Sequence, residues 1–350
     1  MIADLIQVAR PLGMTALAFA ISAIAMPGLI RLLKHFKMGK QIRDAASAPV
    51  MAAKHAAKAG TPTMGGIVIW ATVLLIVFAF AFGCKLFPGT WLCDANFLSR
   101  GQTWLPLGLM ALAAIVGLVD DYLNIRRLGG GKGGGLRMRY RILSYALVAV
   151  LGAWWFYTRL GWDQLHVPFV GTYDIGLWYV PFFILVVVST SFSVNEIDGL
   201  DGLAGGTLFA SFGAYAVIAW SQGRFDLATL CAAIIGALIG FLWFNINPAD
   251  VFMGDTGAMS LGTVLAVVAL MTNQPLLLLV IGLPFVIESL SVIIQITSKK
   301  LRGKKVFLSA PIHHHLEAIG WSEPRIVMRF WMISFVLAGL GIVLALIDSI

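Results

Sequence analysis

Seven carboxylates fall in three short parts of the sequence, and these acids are the first candidates for chemistry. The set is Asp120, Asp121, Glu196, Asp198, Asp201, Asp250 and Asp255. Neighbouring carboxylates repel one another, so a cluster of them persists where a cation or a substrate offsets the charge. Mg²⁺ is usually held by one or two carboxylates together with phosphate oxygens. Any single acid could have a structural role, but the cluster predicts a Mg²⁺ site that handles a phosphorylated ligand.

A run of three histidines, His313 to His315, is the second candidate group. Three adjacent side chains of a regular helix cannot all face one metal ion. No cysteine or HExxH partner accompanies them, which argues against zinc. Imidazole titrates near neutral pH, which suits contact with a diphosphate. The structural alternative is a loop with one packed histidine and two histidines in water.

The segment from Lys58 to Gly66 leads into an apolar run and is the third candidate group. Lys58 supplies a cation, and Thr63, which follows Pro62, supplies a hydroxyl. An N-terminal helix cap would explain a threonine beside a proline. It would not explain two consecutive glycines in an apolar helix, which permit close approach of another backbone.

Two further features admit two interpretations each. Glu288 lies within an apolar segment, where a carboxylate is a functional candidate, but we favour a structural hydrogen bond to a neighbouring helix. The glycine-rich run 129–135 predicts a flexible turn. A phosphate-binding loop is the alternative for this run, although it lacks the GxxxxGK[ST] spacing.

Composition decides which class of protein must position these groups. The chain has 350 residues, of which 59% are apolar and 12% charged, whereas a soluble domain carries about 25% charged residues. A soluble enzyme, a disordered protein and a disulfide-stapled secreted domain are therefore excluded. The net charge of +8 is better explained by basic loops of a membrane protein than by a nucleic-acid partner. Cys84 and Cys93 could form a disulfide if their loop faces an oxidising space.

Hydropathy predicts an all-α polytopic membrane protein with a single integral-membrane domain over residues 1–350. A helix needs about 20 apolar residues to cross the hydrocarbon, and backbone groups in lipid must be satisfied internally. Ten segments meet this requirement. They are residues 11–33, 64–83, 104–123, 142–158, 175–194, 203–220, 227–244, 256–272, 275–297 and 327–347.

The distribution of basic residues orients the predicted spans. The loops after spans one, three and nine, together with Arg31 at the end of span one, hold 19 of the 25 Lys and Arg residues, and such loops face the cytoplasm. Ten spans then place both termini outside, on the periplasmic side. The same orientation puts all of the clustered carboxylates at the cytoplasmic face.

Five motifs in a fixed order resemble a known enzyme family. They are residues 58–66 (KAGTPTMGG), 120–124 (DDYLN), 195–204 (NEIDGLDGLA), 247–257 (NPADVFMGDTG) and 311–315 (PIHHH). This set is similar to that of the polyprenyl-phosphate N-acetylhexosamine-1-phosphate transferases, over nearly the whole chain. The run 311–330 resembles the muramoyl branch of that family.

The resemblance implies a Mg²⁺-dependent phosphoryl transfer at the cytoplasmic face of the bacterial inner membrane. UDP-MurNAc-pentapeptide would be the donor, undecaprenyl phosphate the acceptor and UMP the leaving group, and a homodimer is expected by family analogy. Asp120 would activate the lipid phosphate beside Asp121, and Asp255, with Asp120, would bind the metal. The residues implied to bind substrate are Lys58, Thr63, Asn195, Asp198, Asp201, His313 and His314.

Two positions depart from the family pattern, and three rival functions remain at this stage. Phe192 and Asn124 stand where the family usually has Asn and Lys. The nearest rival is a sister transferase that uses UDP-GlcNAc. An ion-coupled transporter is a rival of another class, although its acids would lie near the middle of the bilayer. A catalytically inactive scaffold is the third.

Overall fold

The computed structural model describes residues 2–39, 58, 60–131 and 134–349, and most of this part of the chain is helical. The helices are α1 (Ile2–His35), α2 (Ile67–Leu86), α3 (Trp91–Ala95), α4 (Trp104–Arg126), α5 (Met138–Leu160), α6 (Tyr179–Ile197), α7 (Leu203–Ser221), α8 (Phe225–Asn245), α9 (Gly254–Met271), α10 (Leu278–Ile281), α11 (Leu283–Arg302), α12 (Ile312–Ala318) and α13 (Glu323–Asp348).

Within the described residues, nine helices are long and apolar enough to cross a membrane. They are α1, α2, α4 to α9 and α13, and each overlaps one predicted span. Long apolar runs form helices here because a helix satisfies its own backbone N–H and C=O groups where water is absent. The described part of the protein is therefore predominantly helical, with nine candidate membrane-spanning helices.

The segment 275–297, predicted to be one continuous span, is divided. Helix α10 ends at Ile281 and α11 begins at Leu283, with Gly282 between them. Helix α11 is not a uniformly apolar helix, because one of its faces is polar and buried and the other is apolar and exposed. The buried polar side chains are Glu288, Ser289, Ser291, Gln295 and Ser298, and the exposed apolar ones include Ile287, Leu290, Ile293, Ile294 and Ile296. A water-soluble amphipathic helix has the opposite arrangement.

The prediction of an all-α chain is wrong for residues 164–174. This segment forms an antiparallel hairpin of β1 (Gln164–Val167) and β2 (Gly171–Asp174), in which Leu165 pairs with Tyr173. A search for long apolar segments does not detect such a short connection, because two four-residue strands do not span a membrane.

Helix α9 is the centre of the bundle, since every residue from 256 to 271 is buried. It packs against α4 and α6. We call the end of the bundle where α4 ends and α9 begins the acidic end, and the opposite end the distal end. At the distal end, the Asp348 carboxylate accepts a hydrogen bond from the Gln274 side chain (3.3 Å) and contacts the His166 ring (2.5 Å). The Gln222 amide donates to the Thr272 carbonyl (2.9 Å) at the same end.

The first helix also begins at the distal end. Arg10 of α1 forms an ion pair with Asp226 at the start of α8 (2.8 Å) and donates to the Asn96 carbonyl (3.3 Å). The end of α2 lies there as well, and its Cys84 forms a disulfide with Cys93 of α3. The bond that the sequence allowed between these two cysteines is therefore present.

Candidate active site

Asp121 caps the first turn of the central helix from a neighbouring helix. Its carboxylate accepts hydrogen bonds from the backbone N–H groups of Asp255 (3.1 Å) and Thr256 (3.0 Å). The first N–H groups of a helix have no partner within that helix. Gly254 has φ +76°, and a Cβ atom there would lie 2.6 Å from the Asp121 carboxylate. Glycine at 254 and the carboxylate at 121 together determine where Asp255 stands.

The glycine pair at the start of α2 packs directly against the start of α9. The Gly65 N–H donates to the Phe252 carbonyl (2.8 Å), and the Gly66 N–H donates to the Met253 carbonyl (2.9 Å). A Cβ atom on Gly66 would lie 2.3 Å from the Gly257 Cα. Close backbone approach, which the sequence predicted for this pair, is the reason that both residues lack a side chain.

Arg141 joins the candidate catalytic acids. Its guanidinium donates to the Asp120 carboxylate (2.8 Å) and lies 3.4 Å from the Asp255 carboxylate. It also donates to the Asn195 side-chain oxygen (3.1 Å), and the Asn195 amide donates to Asp255 (2.5 Å). Residues from α4, α5, α6 and α9 thus meet around one guanidinium. A planar guanidinium can make several such bonds because its donors have a fixed fork geometry.

The glycine-rich run lies against Asp120. The Leu136 N–H donates to the Asp120 carboxylate (2.6 Å), and a Cβ atom on Gly135 would lie 2.8 Å from the same carboxylate. The run turns back on itself through a hydrogen bond from the Gly129 N–H to the Gly134 carbonyl (2.7 Å). In the described part of the run, which omits residues 132 and 133, the glycines therefore form a tight turn that contacts a catalytic candidate.

A polar cavity of about 80 Å³ opens beside these acids. Its lining combines carboxylates, amides and a hydroxyl from the separate motifs. The lining residues are Thr63, Asp121, Asn124, Ile125, Asn195, Asp198, Phe252, Gly254 and Asp255. Five of the predicted site residues therefore share one cavity, at the acidic end of the bundle.

Lys58 pairs with two acids next to this cavity. Its ammonium lies 2.7 Å from the Asp201 carboxylate and 2.5 Å from the Glu323 carboxylate. It also stands 6.0 Å from the centre of the Phe252 ring, which lines the cavity. Glu323 accepts a second hydrogen bond from the Asp201 N–H (2.7 Å). The start of α13 is thereby tied to the loop after α6.

The loop after α6 does not continue the helix, so Asp198 and Asp201 have different surroundings. Asp198 has φ −77° and ψ 54°, and Gly202 has φ +80°. Asp198 consequently lines the cavity, whereas Asp201 is buried and accepts hydrogen bonds from the Asn247 side chain (3.0 Å) and the Ala249 N–H (3.2 Å). Asp201 anchors two loops to each other.

The histidines begin a short helix, α12, rather than lying in an irregular loop. His313 and His314 are both buried, and their ring centres are 4.1 Å apart. The His313 ring bonds to the Glu288 carboxylate (3.0 Å), which confirms the hydrogen bond predicted for Glu288. The His314 ring bonds to the Glu317 carboxylate (2.7 Å). Both rings are held by carboxylates of the protein.

Comparison with known proteins places the chain among membrane transferases. The family model of glycosyl transferase family 4 matches residues 103–273, and the phospho-N-acetylmuramoyl-pentapeptide-transferase signature 1 matches residues 58–69. A phospho-N-acetylmuramoyl-pentapeptide-transferase of Geobacillus thermodenitrificans is 40% identical over 334 residues, which cover 93% of this chain and 95% of that protein. One of Chloroflexus aurantiacus is 40% identical and covers 97% and 91%. The chain belongs to the phospho-N-acetylmuramoyl-pentapeptide-transferase family.

Membership of this transferase family removes the ion-coupled transporter as the main interpretation. The signature match includes Lys58, Thr63 and the Gly65-Gly66 pair, and the wider family match includes Asp120 and Asp255. The two departures from the family pattern differ in their surroundings. Asn124 lines the cavity, whereas Phe192 is half-buried and packs against the apolar core.

Three residues of this family member were missed as site candidates from the sequence. Arg141 stands among other basic residues, and nothing local distinguishes it from the charges that orient the chain. Phe252 is one apolar residue among many. The sequence around Glu323 could have been used, because Ser322, Glu323 and Pro324 form a pattern that is typical of the start of a helix. That signal predicts a helix terminus and does not identify Lys58 as its partner.

Proposed function

We propose that this protein transfers the phospho-MurNAc-pentapeptide group from UDP-MurNAc-pentapeptide to undecaprenyl phosphate, giving lipid I and UMP. The observation that carries the proposal is the grouping of Asp120 and Asp255 around Arg141, beside a polar cavity in a chain of this family. Phosphoryl transfer depends mainly on positioning and on neutralising negative charge. An arginine between two carboxylates, at the edge of a cavity lined by further acids and amides, provides both.

Asp120 is the proposed group that activates the acceptor phosphate. Its carboxylate is held from two sides, by Arg141 and by the Leu136 N–H, so it meets the substrate in a defined orientation. Asp121 is proposed to act beside it by fixing the position of Asp255, because its carboxylate accepts hydrogen bonds from two backbone N–H groups in the first turn of α9. We favour direct in-line attack by the lipid phosphate. A phosphorylated Asp120, trapped with nucleotide-sugar alone, would contradict direct attack.

Mg²⁺ is the proposed cofactor, and the oxygen donors of the cavity suit it. Within the described residues, no three His, Cys, Asp or Glu side chains form a metal-binding group. Mg²⁺ requires no such group, because it commonly takes one or two carboxylates and completes its shell with phosphate oxygens and water. Asp255 and Asp198, which line one cavity, are the residues best placed to hold it. Asp120, the other predicted ligand, is turned towards Arg141. When bound, the ion would neutralise charge on the diphosphate.

The donor is proposed to lie between Lys58 and the histidines. Lys58 supplies positive charge at the cavity edge, and the Phe252 ring provides an apolar surface on which a base could stack. Thr63 and Asn195 add a hydroxyl and an amide to the cavity lining. His313 and His314, with Asp201 as the anchor of the adjoining loop, are proposed to contact the diphosphate or the sugar.

We infer that α10 and α11 together make a tenth crossing. Gln274, just before them, lies at the distal end with Asp348, whereas Glu323, after them, pairs with Lys58 at the acidic end. The intervening chain must therefore run from one end of the bundle to the other. The exposed apolar face of α11 supports burial in lipid. Ten crossings would leave both termini at the distal end.

The acidic end is proposed to face the cytoplasm of a bacterial inner membrane. Described basic residues of these loops, Lys58 and Arg141 among them, lie at this end, which supports a cytoplasmic side by the charge distribution of membrane proteins. The Cys84–Cys93 disulfide at the distal end supports an oxidising compartment on that side. A soluble nucleotide-sugar and the phosphate of a membrane lipid would then both reach the cavity. The homodimer stays a prediction.

Release of UMP by the purified protein in detergent tests the proposed function. We expect release with UDP-MurNAc-pentapeptide and undecaprenyl phosphate in the presence of Mg²⁺, and loss of release after chelation. Asp255→Asn should lower the rate by about 10²-fold or more, because it removes charge at the reacting centre. Asp250→Asn is the matched control, since Asp250 is an exposed acid that does not line the cavity.

The same assay separates the rival functions. Release with UDP-GlcNAc in place of the muramoyl donor would support the sister transferase. A folded protein that releases UMP with neither donor would support the inactive scaffold. Equal rates for the unchanged protein and Asp255→Asn would refute the proposed site even if UMP is formed.

A further inference from the structure

A buried carboxylate and a buried histidine form a pair behind the candidate active site. Glu288 of α11 and His313 of α12 are both fully buried, with side-chain exposures of 0%. We propose that Glu288 is a positioning residue for the transfer reaction, which holds the His313 ring so that its Nε2 atom is directed at the loop that carries Asp198. This inference rests on the proposed function.

The hydrogen bond between the two residues defines the state of the ring. The Glu288 Oε2 atom lies 3.0 Å from the His313 Nδ1 atom. When the Glu288 carboxylate is ionised it can only accept hydrogen bonds, and Nδ1 is then the donor of this bond. A buried carboxylate needs such a partner, because a charge without one is costly away from water. Nε2 is then the ring atom left to meet another group.

The orientation of the ring follows from its contact with Gly199. A Cβ atom on Gly199 would lie 2.2 Å from the His313 Nε2 atom, so the ring points at the backbone between Asp198 and Leu200. Within the described residues, Nε2 makes no hydrogen bond although it is buried. Buried polar atoms are nearly always hydrogen-bonded. The fully buried ring therefore packs with Nε2 against the backbone beside Asp198, so the orientation of the ring determines where the loop that carries this cavity residue lies.

The pairing resembles the way proteins orient other functional imidazoles. A carboxylate at one ring nitrogen commonly selects the tautomer and the orientation, and the second nitrogen performs the chemical role. Glu288 comes from α11 and Gly199 from the loop after α6, so the pair connects these two elements through a single ring. A purely structural hydrogen bond would require neither the glycine nor the unpaired Nε2.

A double-mutant cycle tests the proposal with the full-length protein in detergent. Glu288→Gln should lower kcat by about tenfold or more, because a residue that acts through another contributes less than the roughly 10²–10⁴-fold of a group that transfers the proton itself. KM for the nucleotide-sugar should change by less than about twofold, because the substitution does not alter contacts that are equally strong in the bound substrate and in the transition state. The Glu288→Gln/His313→Gln double variant should be no slower than His313→Gln alone, within about twofold, because residues that act through one another are not additive.

Gly199→Ala supplies a second route to the same conclusion. It leaves Glu288 intact and places a methyl group against Nε2, so it should lower kcat by a similar factor even if Glu288→Gln does not fold. Ser291→Ala is the matched control in α11, since Ser291 is buried and donates only to the Glu288 backbone carbonyl (2.6 Å). Its kcat should equal that of the unchanged protein.

Two outcomes would overturn the inference while leaving the proposed function intact. The first is a kcat for Glu288→Gln and Gly199→Ala equal to that of the unchanged protein. The second is a double variant in which the two losses multiply, which would mean that Glu288 acts independently of His313. Absence of UMP release from the unchanged protein would instead refute the proposed function itself, and the inference with it.

Discussion

Gly117 of α4 lies against the backbone of α9 at the point where Asp255 is held, and replacing it with alanine is the most direct test of this geometry. A Cβ atom at 117 would lie 2.5 Å from the Asp255 carbonyl oxygen and 2.5 Å from the Thr256 Cα. Both are backbone atoms, so no side chain can rotate away. Non-bonded contacts are favourable from about 3.5 Å, so the helices would have to separate by roughly 1 Å.

That separation should affect both stability and turnover. Overpacking in a close-packed interior costs about 1–3 kcal/mol. The hydrogen bonds from Asp255 and Thr256 to the Asp121 carboxylate would lengthen at the same time, and each bond to a charged group contributes about 1.5–3 kcal/mol. We expect a total loss of roughly 3 kcal/mol or more and, for a chain of 350 residues, a fall in Tm of about 4 °C or more. A displacement of about 1 Å at a reacting group can lower kcat by about 10²-fold.

Gly108→Ala is the control on the same helix. Nothing lies within 4 Å of a Cβ atom at 108, and alanine is a better helix former than glycine by about 0.5–1 kcal/mol. Its Tm should be unchanged or slightly higher, and its rate of UMP release unchanged. Thermal unfolding in detergent and the UMP assay measure both quantities. Equal Tm and kcat for the 108 and 117 variants would refute the close approach of α4 and α9.

Three further predictions concern the charges and the disulfide. Arg141→Met should lower kcat by about 10²-fold, because it removes the donors that hold the two catalytic acids. Arg141→Lys should restore part of the activity, because it returns the positive charge. Equal activity of the two variants would count against this role. Glu323→Gln should raise KM for the nucleotide-sugar more than it changes kcat, because it removes one ion pair that holds Lys58 and leaves the reacting acids in position. A change confined to kcat would contradict this prediction. Cys93→Ser should leave the rate of UMP release unchanged. It should lower the Tm, measured without reductant, by a few degrees, because it removes the disulfide to Cys84. A Tm equal to that of the oxidised protein would contradict a stabilising disulfide.

Part of the site was accessible from the sequence because its residues stand in contiguous motifs. Asp121 and Asp255, for example, were selected as acids in loops of an apolar chain, and the structure places both at one cavity. The partner of Asp120 was not accessible. Arg141 lies 21 residues away from it in sequence and belongs to a basic stretch whose other members explain it equally well. A contact between distant residues leaves no periodic signal.

The fold, like the site, was predictable from the sequence only in part. Nine candidate spans were visible because lipid requires about 20 apolar residues in a row, a condition that the chain meets locally. The segment around Gly282 was misread as continuous, since hydropathy records how apolar a segment is and not which face is buried. In α11, Glu288 and Gln295 are buried inside the bundle and the isoleucines are exposed. Which face of this helix is buried is determined only when the neighbouring helices pack against it.

The amino-acid sequence by itself therefore determined the class of protein, its predominantly helical nature and the motifs that place it in its family, because these depend on composition and local spacing. Only the tertiary structure decided which polar and charged side chains meet. Asp120, Asp201 and Glu288 each meet a partner from another element, Arg141, Lys58 and His313 respectively. Electrostatic interactions depend on distance and burial in three dimensions, and neither quantity can be read from the order of residues along the chain.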